Sequence, residues 1–280
     1  MIANSPIGKI IDAWAQPALG GMFQNLPEIE RLFRQSGSAH LLEKGMPAEK
    51  MVETMDKAGV GTVMLSAWHR PGRWIMSNDV IAEIIRAHPG RFVGVASVDL
   101  EKPVEAVREL ERAVKELGFK ALRIVPWLWN RPPNDKLYYP LYVKCIELDI
   151  PFCTQVGHTG PLMPSETGRP IPYIDEVALT FPELKIVGGH IGYPWTDEMI
   201  AVAWKHENVY IDTSAYLPRY YPPQLIQYMQ TYGKDKVLFG TNFPQLSFEK
   251  CAEQARKLGL PEEIEAKFLY ENARRVFKLG

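Results

Sequence analysis

The feature that most constrains the fold is an alternation of short, β-branched apolar runs with amphipathic runs, repeated roughly every thirty residues. Such alternation is typical of βαβ units and a parallel sheet. Eight runs have strand character: 9–15, 62–67, 92–98, 121–125, 151–156, 185–189, 209–212 and 237–240. Eight parallel strands close into a (β/α)₈ barrel of about 250 residues. We therefore predict one α/β domain over residues 1–280, folded as a (β/α)₈ TIM barrel.

The runs between these strands carry apolar residues three and four positions apart, which is typical of helices that pack one face on a sheet. This spacing predicts helices at 79–88, 104–117 and 195–206. The last segment, 261–279, predicts two closing helices, because Pro261 suits a first helical turn.

Three long irregular segments, 17–47, 127–139 and 159–171, each follow a predicted strand. In a (β/α)₈ barrel the segments after the strands form the ligand-binding face. Their aromatic, proline, arginine and asparagine content suits a lined pocket. Ordinary surface loops rich in turn-forming residues are the alternative.

Composition excludes several classes of protein. The net charge of -1 gives no basic face for nucleic acid and no acidic tail. Three widely spaced cysteines, Cys145, Cys153 and Cys251, argue against a disulfide framework and suit a reducing compartment. Residues 1–9 carry no apolar signal-peptide core, and no apolar run is long enough for a membrane span. We expect a cytoplasmic protein with no nucleic-acid or membrane partner.

Polar residues follow three of the predicted strands where apolar sequence gives way to glycine. Strand five ends in QVGHTG with His158, strand six in GGHIG with His190, and strand eight in FGTNFP with Asn242. In a barrel the carboxyl ends of the strands meet at one face. These three side chains are therefore expected to share one site.

The sequence resembles the amidohydrolase-related family, in the branch that includes aminocarboxymuconate-semialdehyde decarboxylase and related aromatic-acid decarboxylases. The resemblance rests on His158, on GGHIGYPW at 188–195, on NVYIDTSA at 208–215, on LFGTNFP at 238–244, and on the ending ENARRVFKL. It implies a distorted barrel of the amidohydrolase type. It also implies hydrolysis or non-oxidative decarboxylation of small carboxylated, often cyclic, substrates.

The same resemblance implies a divalent metal held by a His-x-His pair on strand one, a His after strand five and an Asp after strand eight. Matched by position, Trp14 and Gln16 stand where the two strand-one histidines would be, and Asn242 stands where the aspartate would be. Indole has no lone pair for a metal, and neutral amide oxygens are weak zinc ligands. We expect a degenerate metal site and no tight cofactor. A weakly bound Zn, Mn or Fe ion held by His158 and His190 is the alternative.

Several residues have two possible roles. His158 and His190 form either a general acid–base pair or two inherited histidines hydrogen-bonded inside the barrel mouth. Arg123, inside an apolar strand, either binds a substrate carboxylate or pairs with an acidic neighbour such as Asp99 or Asp12. As catalytic residues we predict His158, His190, Arg123 and Asn242.

Substrate-binding residues are expected among the side chains that follow the strands. His69, with Arg70, either meets an anionic ligand or lies in a solvated loop. The aromatic residues either wall an apolar ligand or pack helices on the barrel. The predicted substrate-binding residues are Trp14, Gln16, His69, Trp127 and Tyr193. Asp212, at the end of strand seven, is expected to be structural.

Three functions stay open on sequence. The first is an enzyme, a hydrolase or carboxy-lyase, that acts on a small carboxylated or cyclic substrate without the usual tight metal. The second is a non-catalytic or regulatory subunit that pairs with a metal-intact relative, and the third is a binding barrel without turnover. We expect a homo-oligomer, or a hetero-oligomer with a related barrel. Fold alone does not decide among these functions.

Overall fold

A parallel eight-stranded sheet forms the centre of the molecule in a computed structural model that describes residues 10–23 and 26–280. Neighbours in the sheet are consecutive in the chain, and all the pairs between them are parallel. The predicted (β/α)₈ barrel is confirmed. Its strands are β1 (Ile10–Ala15), β2 (Val60–Ser66), β3 (Phe92–Ala96), β4 (Ala121–Ile124), β5 (Phe152–Gln155), β6 (Ile186–Gly189), β7 (Val209–Asp212) and β8 (Val237–Leu238).

The barrel closes between β1 and the irregular segment 239–243 that follows β8. The amide of Ala13 donates to the carbonyl of Phe239 at 2.8 Å, and the amide of Asn242 donates to the carbonyl of Trp14 at 2.8 Å. The amide of Gln16 donates to the carbonyl of Phe243 at 3.0 Å. This seam places the end of β1 beside Asn242.

The seam also explains why β8 is shorter than the predicted 237–240. A Cβ atom on Gly240 would lie 2.2 Å from Oδ2 of Asp212 on β7. The chain therefore approaches β7 closely and leaves the regular ladder. The predicted strand start at Lys9 lies outside the described residues.

Helices surround the sheet. They are α1 (Pro27–Ser36), α2 (His40–Lys44), α3 (Ala48–Ala58), α4 (Asn78–Ala87), α5 (Pro103–Lys115), α6 (Pro126–Trp129), α7 (Tyr139–Glu147), α8 (Asp175–Thr180), α9 (Thr196–Lys205), α10 (Pro223–Gln230), α11 (Phe248–Arg256), α12 (Glu262–Ala266) and α13 (Asn272–Val276). The helices predicted at 79–88, 104–117 and 195–206 correspond to α4, α5 and α9. None of the described helices has the length and apolarity needed to cross a membrane.

Three local expectations differ from the structure. The segment 17–47 is not irregular throughout, because it contains α1 and α2. After β2 the chain forms an unpredicted antiparallel hairpin of Trp68–Arg70 and Arg73–Met76. The closing segment is one helical run, since a π-helical turn at Lys267–Glu271 joins α12 to α13.

A second apolar cluster fills the barrel interior at the end opposite the strand carboxyl ends. Val276 and Phe277 from the chain end pack there with inward-facing residues such as Ile11, Met64 and Val95. We call these packed side chains the plug, because they fill this end of the barrel.

Removal of the plug is expected to destabilise the whole domain. Phe277 is 1% exposed, so Phe277→Ala should lower the free energy of unfolding by about 3–5 kcal/mol. Tyr232, which is 79% exposed, provides the matched aromatic control, and Tyr232→Ala should change stability by less than about 0.5 kcal/mol. Urea unfolding followed by circular dichroism measures both, and equal losses would contradict the plug.

Candidate functional site

A cavity of about 200 Å³ opens at the carboxyl ends of the strands. Six of the nine predicted site residues line it: Trp14, Gln16, Trp127, His158, His190 and Asn242. Apolar residues from α1 and the segment before it form another wall. The described lining contains no Asp, Glu, Lys or Arg. The cavity is therefore aromatic and polar but carries no fixed charge.

Trp14 forms the floor of this cavity. A Cβ atom on Gly189 would lie 2.6 Å from the Trp14 ring, so only glycine at the end of β6 leaves room for the indole. His190 lies beside the ring, with centroids 5.2 Å apart. The indole thus fills the space between β1 and β6.

Arg123 lies against the Trp14 ring and does not line the cavity. Its guanidinium carbon is 3.8 Å from the Trp14 ring centroid, a cation–π contact. One Nη atom donates to the carbonyl of Ala15 at 3.3 Å, while Nε and the other Nη have no partner. Burial lowers the pKa of Arg123 to about 10, so the group stays charged at neutral pH. The prediction that Arg123 touches the substrate is not supported by this placement, since the indole covers it.

Neither predicted ion-pair partner holds Arg123. Asp12 instead accepts hydrogen bonds from the amide of Trp14 at 3.0 Å and from the amide and hydroxyl of Thr241 at 3.0 and 2.5 Å. Asp99 faces a different surface pocket, beside Lys102. Arg123 is therefore a buried cation stabilised by an aromatic face and by the longer-range fields of Asp212 and Asp12.

His190 connects the cavity to a buried carboxylate. Its Nδ1 lies 2.7 Å from Oγ of Ser214, and the Ser214 hydroxyl donates to Asp212. Burial, together with the charges of Arg123 and His158, lowers the pKa of His190 to about 3. Burial raises the pKa of Asp212 to about 6, against the hydrogen bonds from Ser214. At neutral pH His190 is therefore a neutral imidazole.

His158 lies at the exposed rim of the same cavity. Its Nδ1 is 3.1 Å from the Tyr216 hydroxyl and 3.4 Å from the Tyr193 carbonyl oxygen. Tyr193 is 49% exposed and packs edge-on against His158, with ring centroids 5.7 Å apart. Tyr193 therefore contacts His158 at the rim and does not line the cavity.

A chain of side-chain amides forms one wall. Gln16 donates from Nε2 to Oδ1 of Asn242 at 3.1 Å, and Asn242 donates from Nδ2 to Oε1 of Gln245 at 2.7 Å. On the opposite side, Trp127 donates from Nε1 to Oε1 of Gln155 at 2.8 Å. These bonds fix polar groups around the cavity without adding charge.

His69, a predicted substrate-binding residue, lies outside this cavity and lines a separate surface pocket. The hairpin after β2 places its ring between Trp74, at 4.5 Å, and Trp129, at 5.7 Å. Arg70 pairs with Glu28 at 3.1 Å. The alternative of a solvated loop is wrong for His69, because its side chain is buried.

Sequence reasoning did not single out three polar residues of the site, Gln155, Ser214 and Gln245. It gave Tyr216 only as one of several aromatic residues that either wall a ligand or pack helices on the barrel. A usable signal was the polar sequence that directly follows β7, TSAY at 213–216. Backbone strain occurs in the segments that follow β6, β7 and β8, where His190, Ala215 and Asn242 have φ values of 73°, 65° and 62°. Non-glycine residues with positive φ concentrate at functional sites.

The residues at the metal positions do not fit a divalent metal. Trp14 and Gln16 offer an indole and a neutral amide, and the charged Arg123 lies 3.8 Å from the Trp14 ring. Across residues 10–23 and 26–280, no three His, Cys, Asp or Glu side chains converge in a way that would hold a metal. The chemistry of these donors therefore supports no step through such an ion.

The fit of Trp14 against β6 can be tested by adding one methyl group. Gly189→Ala should displace the indole and lower the free energy of unfolding by about 1–3 kcal/mol, with a shifted tryptophan emission. Gly160→Ala is the control, because its Cβ would meet only the flexible Leu32 side chain, at 3.2 Å. Unchanged emission and stability in Gly189→Ala would contradict this packing.

Comparison with known proteins places these features in context. A γ-resorcylate decarboxylase of Polaromonas sp. (strain JS666) is 26% identical, with 83% of this chain and 87% of that protein aligned. An uncharacterised TIM-barrel protein of Bordetella bronchiseptica superposes with a TM-score of 0.83 at 26% identity, covering 96% of this chain and 98% of that one.

A dihydroxybenzoic acid decarboxylase of Polaromonas sp. JS666, solved with bound manganese and the inhibitor 2-nitroresorcinol, has the same fold. Its TM-score is 0.70 at 22% identity, with 97% of each chain covered. The sequence model of the amidohydrolase family matches residues 53–279, well over half of the chain. The chain therefore belongs to the amidohydrolase family.

Proposed function

We propose that this barrel catalyses non-oxidative decarboxylation of a small carboxylated aromatic compound without a tightly bound metal. The observation that carries the proposal is the joint placement of His158 and His190 on one aromatic-walled cavity at the strand carboxyl ends. The decarboxylase relatives support the reaction class. Hydrolysis, the other reaction of the family, is less favoured because the donors at this site do not fit a metal ion that would polarise a carbonyl group or activate a water molecule.

The cavity suits an aromatic ring. Trp14 and Trp127 give it two indole surfaces, and Asn242 can orient a polar substituent by hydrogen bonding. A substrate carboxylate would meet no fixed cation there, so its charge would be poorly solvated. Decarboxylation removes that charge as neutral CO₂, so the same environment favours the bond cleavage.

Proton delivery is the chemical step that the protein must supply. The ring carbon that loses the carboxylate must gain a proton, and the electron pair of the broken bond stays on the ring. His158 or His190 can transfer that proton, since both rings line the cavity. Arg123 can stabilise negative charge on the substrate ring through the low-dielectric interior, because its guanidinium lies 3.8 Å from the ring of Trp14, which lines the cavity.

A substrate panel tests this function. The purified protein should release CO₂ from at least one hydroxylated benzoate among 2,6-dihydroxybenzoate, 2,3-dihydroxybenzoate and 5-carboxyvanillate. His190→Ala should lower kcat by about two to four orders of magnitude. His40→Ala is the matched control, because His40 is exposed and lies outside the cavity. An unchanged rate in His190→Ala would remove this residue from the mechanism.

Metal removal tests the metal-free part of the proposal. Dialysis against EDTA should leave kcat within about twofold, since a water-activating ion would contribute orders of magnitude. Metal analysis by mass spectrometry should find less than stoichiometric transition metal. Loss of activity that manganese restores would overturn this part of the proposal.

The oligomeric state helps to distinguish an enzyme from a regulatory subunit that pairs with a metal-intact relative. We propose a homo-oligomer that acts on its own substrate. Complete inactivity on the panel, together with co-purification of a related barrel that keeps the metal ligands, would instead favour a regulatory subunit.

A further inference from the structure

A chain of hydrogen bonds joins His190 to Ser214 and Ser214 to Asp212, and the donor of each bond can be assigned. A serine hydroxyl has a single proton, and in Ser214 it is donated to Oδ1 of Asp212. The backbone amide of Ser214 also donates to this oxygen, at 2.9 Å. With its proton committed, Oγ of Ser214 can only accept at the 2.7 Å contact with Nδ1 of His190.

The opposite arrangement is disfavoured by the carboxylate. If Ser214 donated to His190, Oδ1 of Asp212 would lose its hydroxyl donor and keep the backbone amide of Ser214. A buried carboxylate left with fewer donors costs free energy. The chain therefore runs from His190 Nδ1–H to Ser214 and from Ser214 to Asp212.

This direction leaves a lone pair on Nε2 of His190. The ring is neutral and lines the cavity, and with Nδ1 engaged behind it Nε2 is the nitrogen left for a ligand. The charged and titratable groups around the ring are Arg123, His158 and Asp212. Trp14 packs on its other side, 5.2 Å away.

We propose that the Asp212–Ser214 pair fixes His190 as the Nδ1–H tautomer, so that His190 acts as the proton acceptor for a hydroxyl of the bound ligand. Asp212 and Ser214 are positioning residues, since they act through His190. The tautomer is a property of the chain alone, whereas its chemical use rests on the proposed function.

The proton balance is simple for a hydroxylated aromatic carboxylate. Nε2 of His190 takes the proton of a ring hydroxyl beside the carboxylate and leaves a phenoxide. The resulting imidazolium, which burial disfavours, keeps its Nδ1–H bond to Ser214 and is paired with the negative charge of the new phenoxide. Nε2 then gives this proton to the ring carbon that bears the carboxylate, the carbon–carbon bond breaks with its electron pair restoring the ring, and CO₂ leaves. The product phenoxide takes one proton from water.

Histidine ¹⁵N NMR of the full chain at pH 7 tests the tautomer directly. Wild type should show His190 with a protonated Nδ1 and an unprotonated Nε2. Ser214→Ala should lose this single tautomer, and Ser214→Thr, which keeps the hydroxyl, should retain it. A wild-type Nε2–H tautomer would overturn the proposal, whether or not the protein decarboxylates any substrate.

Ligand binding supplies a second readout that a purely structural role of Ser214 would not change. Resorcinol should bind wild type at least tenfold more tightly than its dimethyl ether, which has no hydroxyl donor, as measured by quenching of tryptophan fluorescence. Ser214→Ala should remove most of that preference, and Ser214→Thr should keep it. Equal preference in Ser214→Ala and wild type would contradict the positioning role.

If a decarboxylated substrate is found, Ser214→Ala should lower kcat about ten- to a hundredfold with little change in KM, as expected for residues that orient a reacting group. An Nδ1–H tautomer in a protein that decarboxylates nothing would count against the proposed function and leave this inference standing. The two failures are therefore distinguishable.

Discussion

The carboxylate of Asp12 joins the last two edges of the barrel, and the site depends on that junction. It accepts the amide of Trp14 on β1 and both donors of Thr241 beyond β8. Burial raises the pKa of Asp12 to about 7, against the effect of these bonds. A buried carboxyl group is tolerated when its oxygens accept hydrogen bonds. Here the donors belong to the seam, where regular strand pairing has ended.

The seam has a direct consequence for chemistry. It sets the end of β1 beside Asn242, so Gln16 can donate to that amide, and it turns Trp14 inward over Arg123. An aromatic ring and a guanidinium thus occupy the part of the barrel where the family resemblance implies a metal. The guanidinium is a cation covered by the indole, while the cavity itself carries no fixed charge.

Much of this arrangement could be predicted without coordinates. Strand periodicity gave the eight strands, and the rule that parallel strands end at one face placed His158, His190 and Asn242 together. Other residues could not be placed. Arg123 was assigned to the ligand face, but stacking under Trp14 hides it, and the hairpin after β2 turns His69 away. Ring stacking and hairpin register are contacts between distant segments, which periodicity does not encode.

The sequence by itself determined the barrel and the family, because these depend on local patterns of polarity and on residue identity. Only the tertiary structure decided what the remaining polar groups can do. One proton arrangement of His190 is favoured because Ser214, whose hydroxyl donates to Asp212, meets its Nδ1 from the neighbouring strand end. That contact crosses from β6 to β7 and depends on two backbone turns with positive φ, at His190 and Ala215. Such turns are fixed by the packing around them, since their intrinsic preference runs the other way.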